Sequence, residues 1–173
     1  MLAPNMYVKQ HNKVALYIHW RILKDIKSPT TQHWYNHKPL HTTHTEDHTI
    51  MWDMPIPTDI PIPNNRPDII IHNKKLRTCL LIDISIPQDQ NITKKTSEKI
   101  LKYKHLEIEL QQCWNLSKIQ TVPVVIGALG TVSTSIEKYL QLISPNLNFQ
   151  MIQKTTLIGT QQILRRSLTS SQT

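Results

Sequence analysis

Two apolar runs joined by a short polar turn, each carrying one aspartate, constrain this chain more than any other feature. Asp68-Ile69-Ile70-Ile71-His72 is a β-branched run of strand length, and Thr78 to Ile86 (TCLLIDISI) is a second. Asn73-Lys74-Lys75 supplies the turn, so the pair reads as a β-hairpin that Pro87 ends. Asp68 opens the first strand after Arg66-Pro67, while Asp83 interrupts Leu80-Leu81-Ile82-Asp83-Ile84. A carboxylate in so apolar a strand is costly to bury unless something positive meets it. The candidate partners are a metal ion, Lys99 or Lys102. Antiparallel pairing brings Asp68 and Asp83 side by side at the open end of the hairpin. Two carboxylates there form an oxygen-rich site for a hard cation such as Mg²⁺. A cation so placed activates water and stabilises charge on a phosphodiester.

The rest of the chain frames this hairpin. Residues 7–27 repeat apolar positions at helical spacing (Val8, Val14 with Ala15, Ile18, Ile22 with Leu23, Ile26), and Ser28-Pro29 stops the helix. Thr30 to Thr49 is polar and rich in histidine, without apolar periodicity, and reads as a loop. Ile50-Met51-Trp52 reads as a short strand, and Pro55, Pro57, Pro61 and Pro63 as an extended connection. Thr96 to Trp114 predicts a second helix with Ile100, Tyr103, Leu106 and Leu110 inward, and with Lys99 and Lys102 on one flank. Thr121 to Ile126 (TVPVVI) is another buried strand. A helix between two buried strands implies a crossover, hence a partly parallel sheet. Two further helices are expected near Ser133–Ile143 and Gln150–Leu168, then a polar tail. The expected fold is therefore mixed α/β, in the order αβββαβ with additional N- and C-terminal helices. Its expected divisions are an N-terminal helix and His-rich connection (1–48), an α/β core (49–130), C-terminal helices (131–168) and a frayed tail (169–173).

At 173 residues, one domain fits and two full domains do not. Twenty Lys and Arg against twelve Asp and Glu leave a formal charge of +8, which favours a polyanionic partner. Three glycines and no GxGxxG or Walker A pattern argue against a nucleotide-binding fold of the usual kind. Two cysteines, Cys79 and Cys113, cannot build a disulfide framework. Neither a signal peptide nor a membrane-spanning run is legible, so an intracellular, nuclear setting without membrane association is expected. His37, His41, His44 and His48 have spacings that suit zinc on a helix, but the segment lacks a helical pattern and reads as a surface loop. Trp34 and Tyr35, beside His33 and Lys38, can stack on unpaired bases, although aromatic residues more commonly buttress a core. Lys94-Lys95 and Arg165-Arg166 are candidate phosphate contacts.

Arg66-Pro67-Asp68, then Asp83 in LIDISIP, then Glu98-Lys99-Ile100-Leu101-Lys102-Tyr103, resembles a restriction-like endonuclease of the PD-(D/E)XK superfamily. More narrowly, the chain is similar to the C-terminal region of animal non-LTR retrotransposon reverse-transcriptase polyproteins. The matches extend to Ile50-Met51-Trp52-Asp53, Val122-Pro123-Val124-Val125-Ile126-Gly127, Leu157-Ile158-Gly159-Thr160 and the early His11-Asn12-Lys13-Val14-Ala15 and Ile18-His19-Trp20. The resemblance implies a restriction-endonuclease-like core and a Mg²⁺- or Mn²⁺-dependent enzyme that nicks DNA, exposing a 3′ hydroxyl at an insertion target. It implies that Asp68 and Asp83 hold the metal. It also moves the usual lysine from Ser85, two residues past the second acid, to Lys99 or Lys102 on the next helix. Glu46 is the nearest candidate for a third acidic ligand. Arg66, Tyr103, Lys94 and Lys95 form the expected nucleic-acid-facing set, with DNA as partner and RNA as the variant. The chain reads as a truncated or domesticated fragment, since no reverse-transcriptase segment is present. The rival readings are an inactive nucleic-acid-binding remnant of the same fold and a protein-interaction module.

Overall fold

The computed structural model describes residues 4–147 and 149–157. The first helix, α1 (Pro4–Asp25), ends near the start expected for Ser28-Pro29 to act, with Lys27 in the left-handed region just beyond it. Five strands follow in one sheet: β1 (Thr42–His44), β2 (His48–Trp52), β3 (Ile69–Asn73), β4 (Thr78–Ser85) and β5 (Lys118–Val125). Their spatial order equals their chain order. The first four are antiparallel neighbours, and β5 lies parallel to β4.

The parallel pair requires the crossover that the sequence implied. It is made by α2 (Ile92–Lys102) and α3 (Lys104–Cys113). Here the structure departs from the single helix expected over Thr96 to Trp114: the helix breaks at Tyr103, whose backbone (φ −103°, ψ 13°) caps both pieces. The chain also enters α2 four residues earlier than expected, after a 3-10 turn over Asp89–Asn91. A second correction concerns the His-rich segment. It is not wholly a loop, because Thr42–His44 pairs with β2 and extends the sheet by a strand. Pro123 inside β5 is tolerated because β5 is an edge strand, where a missing amide donor costs no ladder bond on the open side.

Period-two alternation sorts the strand residues into two cores. Ile69, Ile82, Ile84, Val122 and Val124 face Val14, Ile18 and Ile22 of α1 and Ile136 and Leu140 of α4 (Ile136–Ile143). Ile70 and Leu81 face Tyr103, Leu106 and Leu110 on the other side. Helices thus cover both faces of the sheet. The helical segment 149–157 adds Ile152 to the first core. The end of α1 is tied to the end of α4: Ser144 Oγ donates to Asp25 Oδ2, and Asn146 donates to Oδ1 at 2.9 Å. The N-terminal helix is therefore packed into the same core as the sheet. Residues 158–168 of the last expected helix, Arg165-Arg166 and the tail 169–173 lie outside the described residues. Among those described, no helix is long and apolar enough to cross a membrane.

Candidate functional site

The hairpin register decides the position of the two aspartates. Ile69 pairs with Ile82, so Asp68 and Asp83 fall one step further, at the open end between β3 and β4. The Ile84 amide donates to Asp68 Oδ2 at 2.7 Å, which pins the Asp68 side chain across the strand. Asp83 points toward the α2–α3 face and is 3% exposed.

That face supplies its partners. Lys99, two turns into α2, places its ammonium 2.7 Å from Asp83 Oδ2. At that distance the ammonium and the carboxylate form a close ion pair, which favours the charged form of Asp83. Tyr103 is fully buried at the helix break and donates its hydroxyl to Asp83 Oδ1 at 3.1 Å. The break at Tyr103 is thus where the crossover turns a phenol into the site. Lys102 is exposed and sits 5.1 Å from the centroid of the Tyr103 ring, a cation over an aromatic face. The two lysines that sequence left equivalent are therefore separated by the fold: Lys99 meets the carboxylate and Lys102 lines the rim.

Two further residues enter from distant parts of the chain. His11 of α1 brings Nε2 to 3.1 Å from Asp68 Oδ2. Arg66 donates through Nε to Asp53 Oδ1 at 3.0 Å and through its guanidinium to the Asp53 carbonyl at 3.2 Å. The Asp53 amide in turn donates to the Asp68 carbonyl at 2.9 Å, which continues the β2–β3 ladder past Trp52. His11, Arg66, Asp68, Asp83, Lys99 and Tyr103 line one open cleft of about 370 Å³, with Lys102 and Ser85 at its edge.

The electrostatics split the two acids. Burial pushes Asp68 up, but His11 and the Ile84 amide outweigh it and leave its carboxyl below the ordinary range. Burial, and next the charge of Asp68, push Asp83 up, and Lys99 opposes this without cancelling it. Burial followed by Asp83 also raises the Tyr103 phenol. Burial lowers His11, yet Asp68 more than compensates and its pKa is raised. Two neighbouring acids whose surroundings drive their proton affinities apart are a recurring property of reactive sites.

The remaining expected residues are placed elsewhere. Glu46 lies in the β1–β2 turn, beside the β3–β4 turn, where the Lys74 amide donates to the Asp47 carbonyl at 2.7 Å. That is the opposite end of the sheet from Asp68, so Glu46 cannot join the aspartates. The reason is register: β2 runs antiparallel to β3, and His48 pairs with Asn73 rather than with Ile69. Lys94 and Lys95 lie in the first turn of α2, and Lys95 pairs with Glu98 at 3.2 Å. Among the described residues no group of three or more His, Cys, Asp and Glu side chains is arranged to hold a metal ion, the His-rich segment included.

His11 and Asp53 are the site neighbours that sequence reasoning missed. A signal for His11 existed, since it lies three and four residues before Val14 and Ala15, on the stripe of α1 that faces the core. For Asp53 no local signal pointed to Arg66.

A scan of the chain against protein-family models finds no match, and a search among curated proteins finds no significant one.

Proposed function

We propose that this protein is a Mg²⁺-dependent DNA endonuclease domain of the restriction-like kind, from a retroelement. The observation that supports the reading best is the convergence of Asp68, Asp83 and the Lys99 ammonium in one open cleft, joined by Arg66 and Tyr103. The mixed sheet with its crossover after the Asp83 strand is compatible with an αβββαβ nuclease core.

The donor set fits a hard divalent cation. Asp68 and Asp83 share one cleft, and the charge of Asp68 raises Asp83 beyond what Lys99 offsets, so a further positive charge is favoured there. Mg²⁺ keeps several waters and commonly uses only one or two protein carboxylates plus substrate phosphate oxygens. Asp68 and Asp83 would hold it, and bound there it would polarise a phosphoryl oxygen and lower the pKa of water.

The chain's own residues account for the rest of the chemistry. In hydrolysis a water oxygen bonds to phosphorus, the P–O3′ bond breaks, and the 3′ oxygen leaves as a hydroxyl after taking a proton. Lys99 stands where it neutralises charge growing on the phosphoryl oxygens or orients the attacking water. Tyr103 fixes Asp83 by holding Oδ1, and the Ile84 amide fixes Asp68. Arg66, half-exposed at the cleft mouth, holds a flanking phosphate.

The test is nicking of supercoiled DNA with Mg²⁺, comparing wild type with Asp83→Ala. Equal cleavage by the two overturns the assignment. A second reading, a nucleic-acid-binding remnant without cleavage, is favoured by one observation: His11 and Lys99 already meet both carboxylates. It predicts salt-dependent DNA binding with no nicking at any Mg²⁺ or Mn²⁺ concentration.

A further inference from the structure

Beside α1, at Lys13, the structure forms another open hollow of about 330 Å³. It is lined by Lys13 of α1, Trp34 and Tyr35 of the 3-10 turn Trp34–Asn36, and Met151, Lys154 and Thr155 of the helical segment 149–157. We propose that this hollow binds an unpaired nucleotide of single-stranded nucleic acid, with the base on the aromatic wall and the phosphate on the lysines.

The wall is built rather than incidental. Trp34 is half-buried and meets Tyr17 edge-on, with ring centroids 5.9 Å apart, so its indole is anchored in the first core. Tyr35 is 61% exposed, an unusual outlay of aromatic surface on a chain with only 6% aromatic residues. Its ring is nonetheless held, stacked on His33 at 5.1 Å and 5° and set edge-on to Trp34 at 5.9 Å. An exposed aromatic whose orientation is already fixed loses little entropy when a base stacks on it.

The charge selects the ligand. Both charged lining residues are lysines, none is acidic, and among the described residues neither Lys13 nor Lys154 is paired with a carboxylate. An apolar peptide would strand both ammonium groups, whereas a nucleotide satisfies them and the aromatic wall together. A duplex keeps its bases stacked inside, so its phosphates can meet the lysines but its bases cannot reach Tyr35. The site therefore discriminates single strands from duplexes, and it does so whether or not the cleft cleaves.

Fluorescence anisotropy of the full chain in EDTA, with a labelled oligothymidine of about 12 nucleotides and a blunt-ended duplex of about 12 base pairs, tests this. Tyr35→Ala is expected to weaken single-strand binding about tenfold and leave duplex binding unchanged, while Tyr35→Phe keeps wild-type affinity. Lys13→Gln and Lys154→Gln should each reduce the slope of log affinity against log salt by about 0.7. Because Tyr35 is exposed, its replacement leaves the core packing intact, which circular dichroism checks. Absence of single-strand binding by wild type overturns the proposal. So does unchanged affinity in Tyr35→Ala, or an equal loss for single strand and duplex.

Discussion

The Lys99 ammonium lies 2.7 Å from Asp83 Oδ2, with the lysine side chain 19% exposed and the aspartate almost wholly enclosed. Lys102, one helical turn on, is exposed and rests on the Tyr103 ring instead. If the cleft is catalytic, the two lysines differ in consequence. Lys99→Ala should slow nicking by about a hundredfold, the scale of losing one preorganised donor at a developing oxyanion, and Lys102→Ala far less. Lys99→Ala also strips Asp83 Oδ2 of its ammonium and leaves Tyr103 on Oδ1, at a cost of about 1–3 kcal/mol in urea unfolding. Equal rates for the two variants would remove Lys99 from the chemistry.

Tyr103 closes the other side of Asp83. Its hydroxyl donates to Oδ1 at 3.1 Å from a fully buried position, so Tyr103→Phe removes one charge-assisted bond and little volume. A loss of about 1.5–3 kcal/mol is expected from denaturant midpoints at neutral pH. The change should be smaller in an Asp83→Asn background, where the acceptor carries no charge.

A pH prediction rests on a different pair. His19 is fully buried, its Nδ1 lies 2.7 Å from His37 Nε2, and among the described residues its Nε2 has no hydrogen-bond partner. Burial, and then His37, lower its pKa from 6.5 to about 3. The folded state therefore refuses a proton that the unfolded chain accepts below 6.5. The associated stability is present above that value and is lost as pH falls toward about 3. The slope is about 1.4 kcal/mol per pH unit, so roughly 2 kcal/mol should disappear by about pH 5. His11 has the opposite sign, since its raised pKa stabilises the fold below 6.5 and that contribution fades on alkalinisation. Urea titrations of His19→Gln should show a flatter acid limb than wild type; an unchanged slope would assign the acid sensitivity to other groups.

Arg66 and Asp53 form an ion pair in which both side chains are more than half exposed. Breaking it with Asp53→Asn should change stability by less than about 1 kcal/mol. Arg66→Ala should be similarly mild for folding, yet weaken DNA binding evenly across sequences and lower the salt slope by about one. Binding isotherms at several salt concentrations decide this, and an unaltered slope would take Arg66 off the phosphate backbone.

Much of the architecture was legible from local pattern. The hairpin over β3 and β4, the amphipathic α1, the proline-rich connection and the crossover to a parallel β5 all follow from periodicity and punctuation. The strand Thr42–His44 was hidden because its residues carry no apolar alternation; it forms by pairing with β2, a contact its own composition does not announce. The break at Tyr103 was hidden for a similar reason. Helical spacing of Ile100, Tyr103, Leu106 and Leu110 runs straight through it, and only the burial of the phenol against Asp83 shows why the chain turns there.

The sequence by itself determined that Asp68 and Asp83 share an end of one hairpin, because antiparallel pairing across a short turn leaves little choice of register. It also determined that a basic helix follows them. Tertiary structure alone decided the rest. It separated Lys99 from Lys102, sent Glu46 to the far end of the sheet, and delivered His11 to Asp68 from a helix 57 residues away in the chain. Pairing within a hairpin is fixed by neighbours close in sequence, whereas the meeting of side chains from separate elements depends on how whole helices pack across the sheet.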